Sequence, residues 1–194
     1  VAEEWFDFYK KKEKISSARI REKEMNHLVK AFKHLKIRTI TKKHYIEFIH
    51  YLANQYKPNY VSGIQTTGKM IFQYAIDCGY IKVNPSERIE LPKPKIDTES
   101  LESHIEEIKF LEKEELARFH KTAYSEGLEM DYLAFSTLSY TGLRIGELLA
   151  LKWTDIDFKA RTLRVTKTLY NPNNNQQNYD LLSPKTNGSF YKDN

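Results

Sequence analysis

Apolar residues in positions 1–91 recur at helical spacing four times over. Trp5, Phe6 and Tyr9 form one stripe on a short first helix that ends in Lys10-Lys11-Lys12. Met25, Leu28, Val29, Phe32 and Leu35 form a second, with Ser16 or Ser17 as its N-cap. Tyr45, Phe48, Ile49 and Leu52 form a third, capped by Thr41. Ile64, Gly68, Ile71, Phe72, Ala75 and Ile76 form a fourth, with Pro58 in its first turn and Gly79 as its stop. Four amphipathic helices on short connections make a small bundle.

Asn84-Pro85 ends that rhythm, and Leu91-Pro92-Lys93-Pro94-Lys95 is held extended by its prolines. Residues 92–104 are therefore expected to be a linker. A helical period resumes at Phe110-Leu111, where Glu112 to Glu115 suit a helix N-terminus. That helix is expected to run to about Glu126, with another near Glu129–Tyr140. A Thr141-Gly142 turn and a short helix over Arg144–Leu151 follow. After Trp153 the period falls to two. Ile156 and Phe158 alternate, then Leu163, Val165 and Leu169, with a hairpin turn at Lys159-Ala160-Arg161. Asn171 to Asn178 is polar and loop-like, and Leu181 to Thr186 predicts one more short strand or turn. The predicted class is mainly α with a small β-hairpin or sheet.

Composition sharpens the picture only in places. Of 194 residues, 40% are hydrophobic and 29% charged, which suits a soluble globular chain. Cys78 is alone, so no internal disulfide can form, and a reducing cytoplasm is the expected compartment. No apolar run reaches the length of about 18 residues that a membrane span needs. Charge matters more. Residues 1–91 carry 17 Lys and Arg against 10 Asp and Glu, whereas residues 92–194 carry 14 against 16. A basic half beside a near-neutral half points the first half at a polyanion. The six histidines lack metal-ligand spacing, and no Walker-type or dinucleotide-binding glycine motif occurs. The chain opens on Val1 rather than methionine and is expected to be a fragment of a longer protein.

The run Thr141-Gly142-Leu143-Arg144-Ile145-Gly146-Glu147-Leu148-Leu149-Ala150-Leu151, continuing through Lys152-Trp153-Thr154-Asp155-Ile156, carries the sharpest chemistry. An arginine can grip a phosphate through two parallel hydrogen bonds, as lysine cannot. In isolation, Arg144 and Glu147 three residues apart would make an ordinary helix ion pair worth roughly 0.2–0.5 kcal/mol. Their setting, between an all-helical segment and a hairpin, favours a functional pair. The run resembles the first catalytic box of the tyrosine site-specific recombinases, the phage and conjugative-transposon integrases. Tyr74 to Pro85, the aromatics after Trp5 and the basic second helix resemble that family's core-binding domain.

The resemblance implies a SAM-like four-helix core-binding bundle over 1–91 and the N-terminal part of an α+β catalytic domain over 105–194. It implies that Arg144 binds non-bridging oxygens of a scissile phosphate, that Glu147 orients local hydrogen bonds, and that Lys185 in Ser183-Pro184-Lys185-Thr186 protonates a leaving 5′ hydroxyl. The whole enzyme is implied to cut and rejoin duplex DNA through a 3′-phosphotyrosyl intermediate and to integrate or excise a mobile element. It would need no metal, ATP or other cofactor. It would act as a homotetramer at synapsis, with accessory DNA-bending or directionality proteins, in a bacterial or phage-encoded setting. The His-x-x-Arg box and the late nucleophilic tyrosine of the family do not occur in these 194 residues. The chain by itself is therefore expected to bind DNA without cleaving it. The alternative is a non-enzymatic DNA-binding relic or regulator competing at recombination sites.

Lysines and arginines on the bundle neutralise backbone phosphates with little regard to sequence. The candidates for phosphate contact are Lys10, Lys11, Lys12, Lys14, Arg19, Arg21, Lys42, Lys43, Lys57 and Lys69, with Thr66 and Thr67 as neutral donors.

Overall fold

The computed structural model describes residues 1–92, 110–175 and 177–184, together with the backbone of 189–192. The linker expected at 92–104 falls outside the described residues but for Pro92. The chain divides into two compact units, Val1–His104 and Ile105–Asn194.

The first unit is helical. Helices α1 (Ala2–Lys12), α2 (Ile15–Phe32), α3 (Lys42–Ala53) and α4 (Pro58–Asp77) surround one core of Trp5, Met25, Leu28, Tyr45, Phe48, Ile49, Leu52, Val61, Ile64, Ile71 and Phe72. The α3 stripe expected from the sequence is the one buried; the α4 stripe is buried except for half-buried Ile76, and Val61, Gln65 and Thr67 of α4 are buried beside it. Thr41 caps α3 as expected: its hydroxyl accepts from the His44 N–H, while the His44 ring accepts from the Thr41 N–H. Pro58 sits at the first position of α4, and Gly79 follows that helix with φ +72°.

Three local expectations change. Helix α2 is capped by Lys14, whose carbonyl already accepts from the Ala18 N–H, so Ser16 and Ser17 lie inside its first turn. Leu35 stands beyond the end of α2, and both it and Val29 are exposed. Tyr45 is fully buried with its tip against Gly68 of α4, where a Cβ would collide with it. Its hydroxyl has no hydrogen-bond partner among the described residues, and burial pushes its pKa up.

The second unit opens with α5 (Lys113–Glu126) and α6 (Asp131–Thr141), whose facing rings include Phe119 and Phe135 at 5.0 Å. A four-residue helix, α7 (Ile145–Leu148), comes next and is shorter than the sequence suggested. Strands β1 (Ile156–Asp157), β2 (Thr162–Val165) and β5 (Ser189–Lys192) form an antiparallel sheet in the order β1-β2-β5. Strands β3 (Thr168–Tyr170) and β4 (Asp180–Leu182) pair as a second sheet. The β1–β2 turn falls where Lys159-Ala160-Arg161 placed it, and Asp157 Oδ1 accepts from the Lys159 and Ala160 N–H groups. Phe158, placed with Ile156 in an alternating strand pattern, is instead 74% exposed at that turn, because β1 ends one residue earlier.

A candidate phosphate site and a basic helical surface

Arg144 is positioned by the turn before it and the helix after it. Gly142 ends α6 in the left-handed region at φ +64°, which a glycine adopts without steric cost. Leu143 is then buried, and Arg144 becomes the N-cap of α7 in extended backbone. Arg144 and Glu147 are therefore not two residues along one helix face. They are the cap and third residue of a helix start.

That placement changes what Glu147 does. One carboxylate oxygen, Oε2, accepts from the Arg144 backbone N–H at 3.0 Å. The other, Oε1, accepts from the Arg144 guanidinium Nη1 at 3.1 Å. The Glu147 side chain is 5% exposed and the Arg144 side chain 60% exposed. A buried acid thus holds both ends of a solvent-facing arginine. Among the described residues only Nη1 of the guanidinium is engaged, so its remaining donors face outward and suit a planar oxyanion such as phosphate.

Close packing fixes α7 against the second sheet. A Cβ at Gly146 would stand 2.6 Å from Thr168 Oγ1 and 3.0 Å from the Leu169 carbonyl oxygen. Glycine is required there for α7 to lie so close to β3. Beyond α7, Asp155 accepts from the Lys152 N–H at 2.9 Å and pairs with Lys167 Nζ at 3.8 Å. Sequence reasoning passed over Lys167. The only signal was a lone cation in the short gap between the predicted strand residues Val165 and Leu169. Lys185 lies outside the described residues. Trp153, part of the same sequence run, is 80% exposed.

In the first unit the candidate cations separate into outward and inward groups. Lys10, Lys11, Lys12, Lys14, Lys42, Lys43, Lys57 and Lys69 are exposed, and Arg19 is half-buried. Some already have acidic or aromatic neighbours. Lys10 pairs with Asp7 at 2.5 Å and holds that carboxyl below its usual pKa by hydrogen bonding and charge. Lys12 lies over the Phe8 ring at 4.1 Å, and Lys43 reaches Glu47 at 4.0 Å. Thr66 donates to the Ser62 carbonyl of its own helix. Arg21 and Thr67 point inward. Thr67 is fully buried and donates to Glu24 Oε2 at 2.6 Å, and Arg21 Nη1 donates to the same oxygen at 2.7 Å. Neither was expected to be an internal group, because the partner Glu24 belongs to a charged stretch that reads as a solvated face.

Among the described residues no group of three or more His, Cys, Asp or Glu could hold a metal ion. No helix among them is long and apolar enough to cross a membrane.

Comparison with known proteins covers both units. The model of the phage integrase central domain matches residues 1–91, and that of the phage integrase family matches residues 109–184. A probable integrase of prophage ps2 from Lactococcus lactis subsp. lactis (strain IL1403) is 33% identical over 171 residues, which are 87% of this chain and 44% of that protein. A XerC-like tyrosine recombinase from Caldanaerobacter subterraneus subsp. tengcongensis is 38% identical over 102 residues, 52% of this chain and 24% of that one. The chain spans less than half the length of these relatives. Among solved structures, the Tn1549 transposon integrase in complex with transposon right end DNA matches with a TM-score of 0.74 at 20% identity, over 98% of this chain and 60% of that one. A lambda integrase dimer bound to a COC′ core site matches with a TM-score of 0.66 at 19% identity, over 93% and 61%.

Proposed function

The chain belongs to the phage integrase family of tyrosine recombinases, and from that premise we propose that it is a DNA-binding portion of a site-specific integrase that does not cleave DNA by itself. Residues 1–91 serve as the core-binding unit, 92–104 as the linker and 105–194 as the first part of the catalytic domain. The observation that carries the reading is the exposed Arg144 guanidinium held at both ends by the buried Glu147 carboxylate. A preorganised donor of this kind stabilises charge on a phosphate without reorganising at the moment of reaction. Arg144 grips non-bridging oxygens, Glu147 keeps it aimed, and Lys185 is the candidate proton donor to a leaving 5′ oxygen.

The basic balance of residues 1–91 supplies attraction to the duplex that does not depend on sequence. Lys10, Lys11, Lys12, Lys14, Arg19, Lys42, Lys43, Lys57 and Lys69 are the proposed phosphate contacts, with Thr66 as a weaker polar neighbour. In the whole protein the partners are duplex DNA, further copies of the same subunit at synapsis, and accessory proteins that bend DNA or set direction. Strand cleavage belongs to the whole protein, because a His-x-x-Arg box and a tyrosine in a late helix are absent from these 194 residues.

The test compares wild type with Arg144→Ala and with a Lys10/Lys11/Lys12→Ala triple variant on duplex DNA. The triple variant is expected to lose most of the affinity and Arg144→Ala a smaller part. Denaturing gels of wild type incubated with a nicked duplex are expected to show no covalent adduct. A tyrosine-linked adduct would overturn the non-cleaving assignment. Equal binding by all three proteins would overturn the proposed contacts.

A further inference from the structure

An Arg-x-x-Glu spacing with a buried acid also occurs in α2, at Arg21 and Glu24, and its geometry is unlike that of Arg144 and Glu147. Glu24 is 4% exposed at the seam between α2 and α4. Its Oε2 accepts from Arg21 Nη1 at 2.7 Å and from Thr67 Oγ1 at 2.6 Å. Arg21 Nη1 also reaches Thr67 Oγ1 at 3.2 Å and the Gly63 carbonyl at 3.5 Å. Gly63 makes room for this, since a Cβ there would collide with Glu24 Oε1. Burial works against the charge of Arg21, but its hydrogen bond to Glu24, helped by the nearby Tyr9 hydroxyl of α1, outweighs it and raises its pKa. The buried Glu24 carboxylate and its Arg21 partner therefore tie α2 to α4.

Stability alone does not explain such an ion pair beside a core that is mainly apolar and aromatic. Apolar residues of similar volume often match or exceed a buried ion pair, because desolvation offsets most of its attraction. What apolar contacts lack is direction. Glu24 can satisfy both Arg21 and Thr67 only when α2 and α4 stand at one register, and a slip of one helical turn would leave a buried carboxylate against the wrong residues. Both helices carry proposed phosphate contacts, Lys14 at the cap and Arg19 on α2, and Lys57 at the cap and Lys69 on α4. Phosphates along a duplex are regularly spaced, so a misplaced pair of helices would meet fewer of them at once.

We infer that Arg21, Glu24 and Thr67 are positioning residues for DNA contact, holding α2 and α4 at the register in which their exposed cations meet phosphates together. The inference rests on the DNA-binding reading above. Its test uses the full chain and three changes: Thr67→Val, Thr67→Ser, and the charge-neutral double replacement Arg21→Met with Glu24→Leu. Thermal unfolding and duplex binding across salt are measured for each. The double variant is expected to melt at or above wild type yet bind about five- to tenfold more weakly, the scale of one or two hydrogen bonds. Its salt dependence should be shallower, which a purely structural role would not change. Thr67→Val takes one donor from the buried Glu24 carboxylate, so it should melt below wild type while weakening and flattening binding as the double variant does, and Thr67→Ser should restore both. Thr67→Val removes a single hydroxyl and carries the test if the double variant does not fold. If wild type binds with steep salt dependence and the folded variants match it in affinity and slope, the positioning role is overturned while the DNA-binding reading stands. If wild type shows no salt-sensitive binding, the DNA-binding reading itself fails, and the inference with it.

Discussion

Arginine and glutamate stand three residues apart at Arg21 and Glu24 and again at Arg144 and Glu147, with opposite outcomes for the cation. The Arg21 side chain is 22% exposed and the Arg144 side chain 60%, although both acids are buried. Spacing alone could not separate them, because what differs is where the helix begins. Arg144 is a cap and Arg21 sits well inside α2. Glu147→Ala strips a partner from the Arg144 N–H and from its guanidinium, so it should destabilise the second unit by about 1–3 kcal/mol. Glu147→Gln, which keeps one acceptor, should cost less. Chemical denaturation of the two variants checks this, and equal losses would contradict the two-point grip. Tyr45 poses the converse case, a buried hydroxyl with no partner among the described residues. Tyr45→Phe should leave stability within about 1 kcal/mol of wild type or raise it, since removing an unsatisfied polar atom relieves its desolvation cost. A clear loss in urea unfolding would mean that the hydroxyl has a partner.

Helices were more legible in the sequence than strands or caps. The α3 stripe, and the α4 stripe apart from half-buried Ile76, are buried as their spacing required, because a helix packed on one side leaves a period near 3.6. Thr41 and Pro58 act locally and could be placed from chemistry alone. The N-cap of α2 could not, since Lys14 holds that position without a side-chain cap on the first N–H groups of the helix. The second sheet and the pairing of β2 with β5 are set by contacts between segments far apart in sequence, which no local period encodes. The fit of α7 on β3 belongs to the same class. Gly146→Ala should force that contact apart and destabilise the second unit by about 1–3 kcal/mol, the usual range for overpacking. Adding Thr168→Ala should recover part of the loss, because it removes the nearer of the two obstructing atoms. An additive double variant would show that the two residues do not meet.

At the scale of the whole chain, the two units differ in how much they bury. The first has a continuous core, whereas among the described residues of the second the buried apolar side chains are Leu143, Ala150, Val165 and Pro184. Tyr124, Leu128, Tyr140, Trp153 and Phe158 of the second unit are largely exposed. Thermal unfolding is therefore expected to show two transitions, the weaker from residues 105–194, and one sharp transition would contradict that. Charge divides the same way, with the excess of lysine and arginine in residues 1–91. The central claim is that this basic unit grips duplex DNA while Arg144 waits for a phosphate. Equilibrium binding of the wild-type chain to duplex DNA, titrated against salt, tests it most directly. With about six or more phosphates neutralised, affinity should fall by about a thousandfold or more between roughly 50 and 200 mM salt, linearly in the logarithms. No binding at low salt, or binding indifferent to salt, would contradict it and return Arg144 and Glu147 to a purely structural pair.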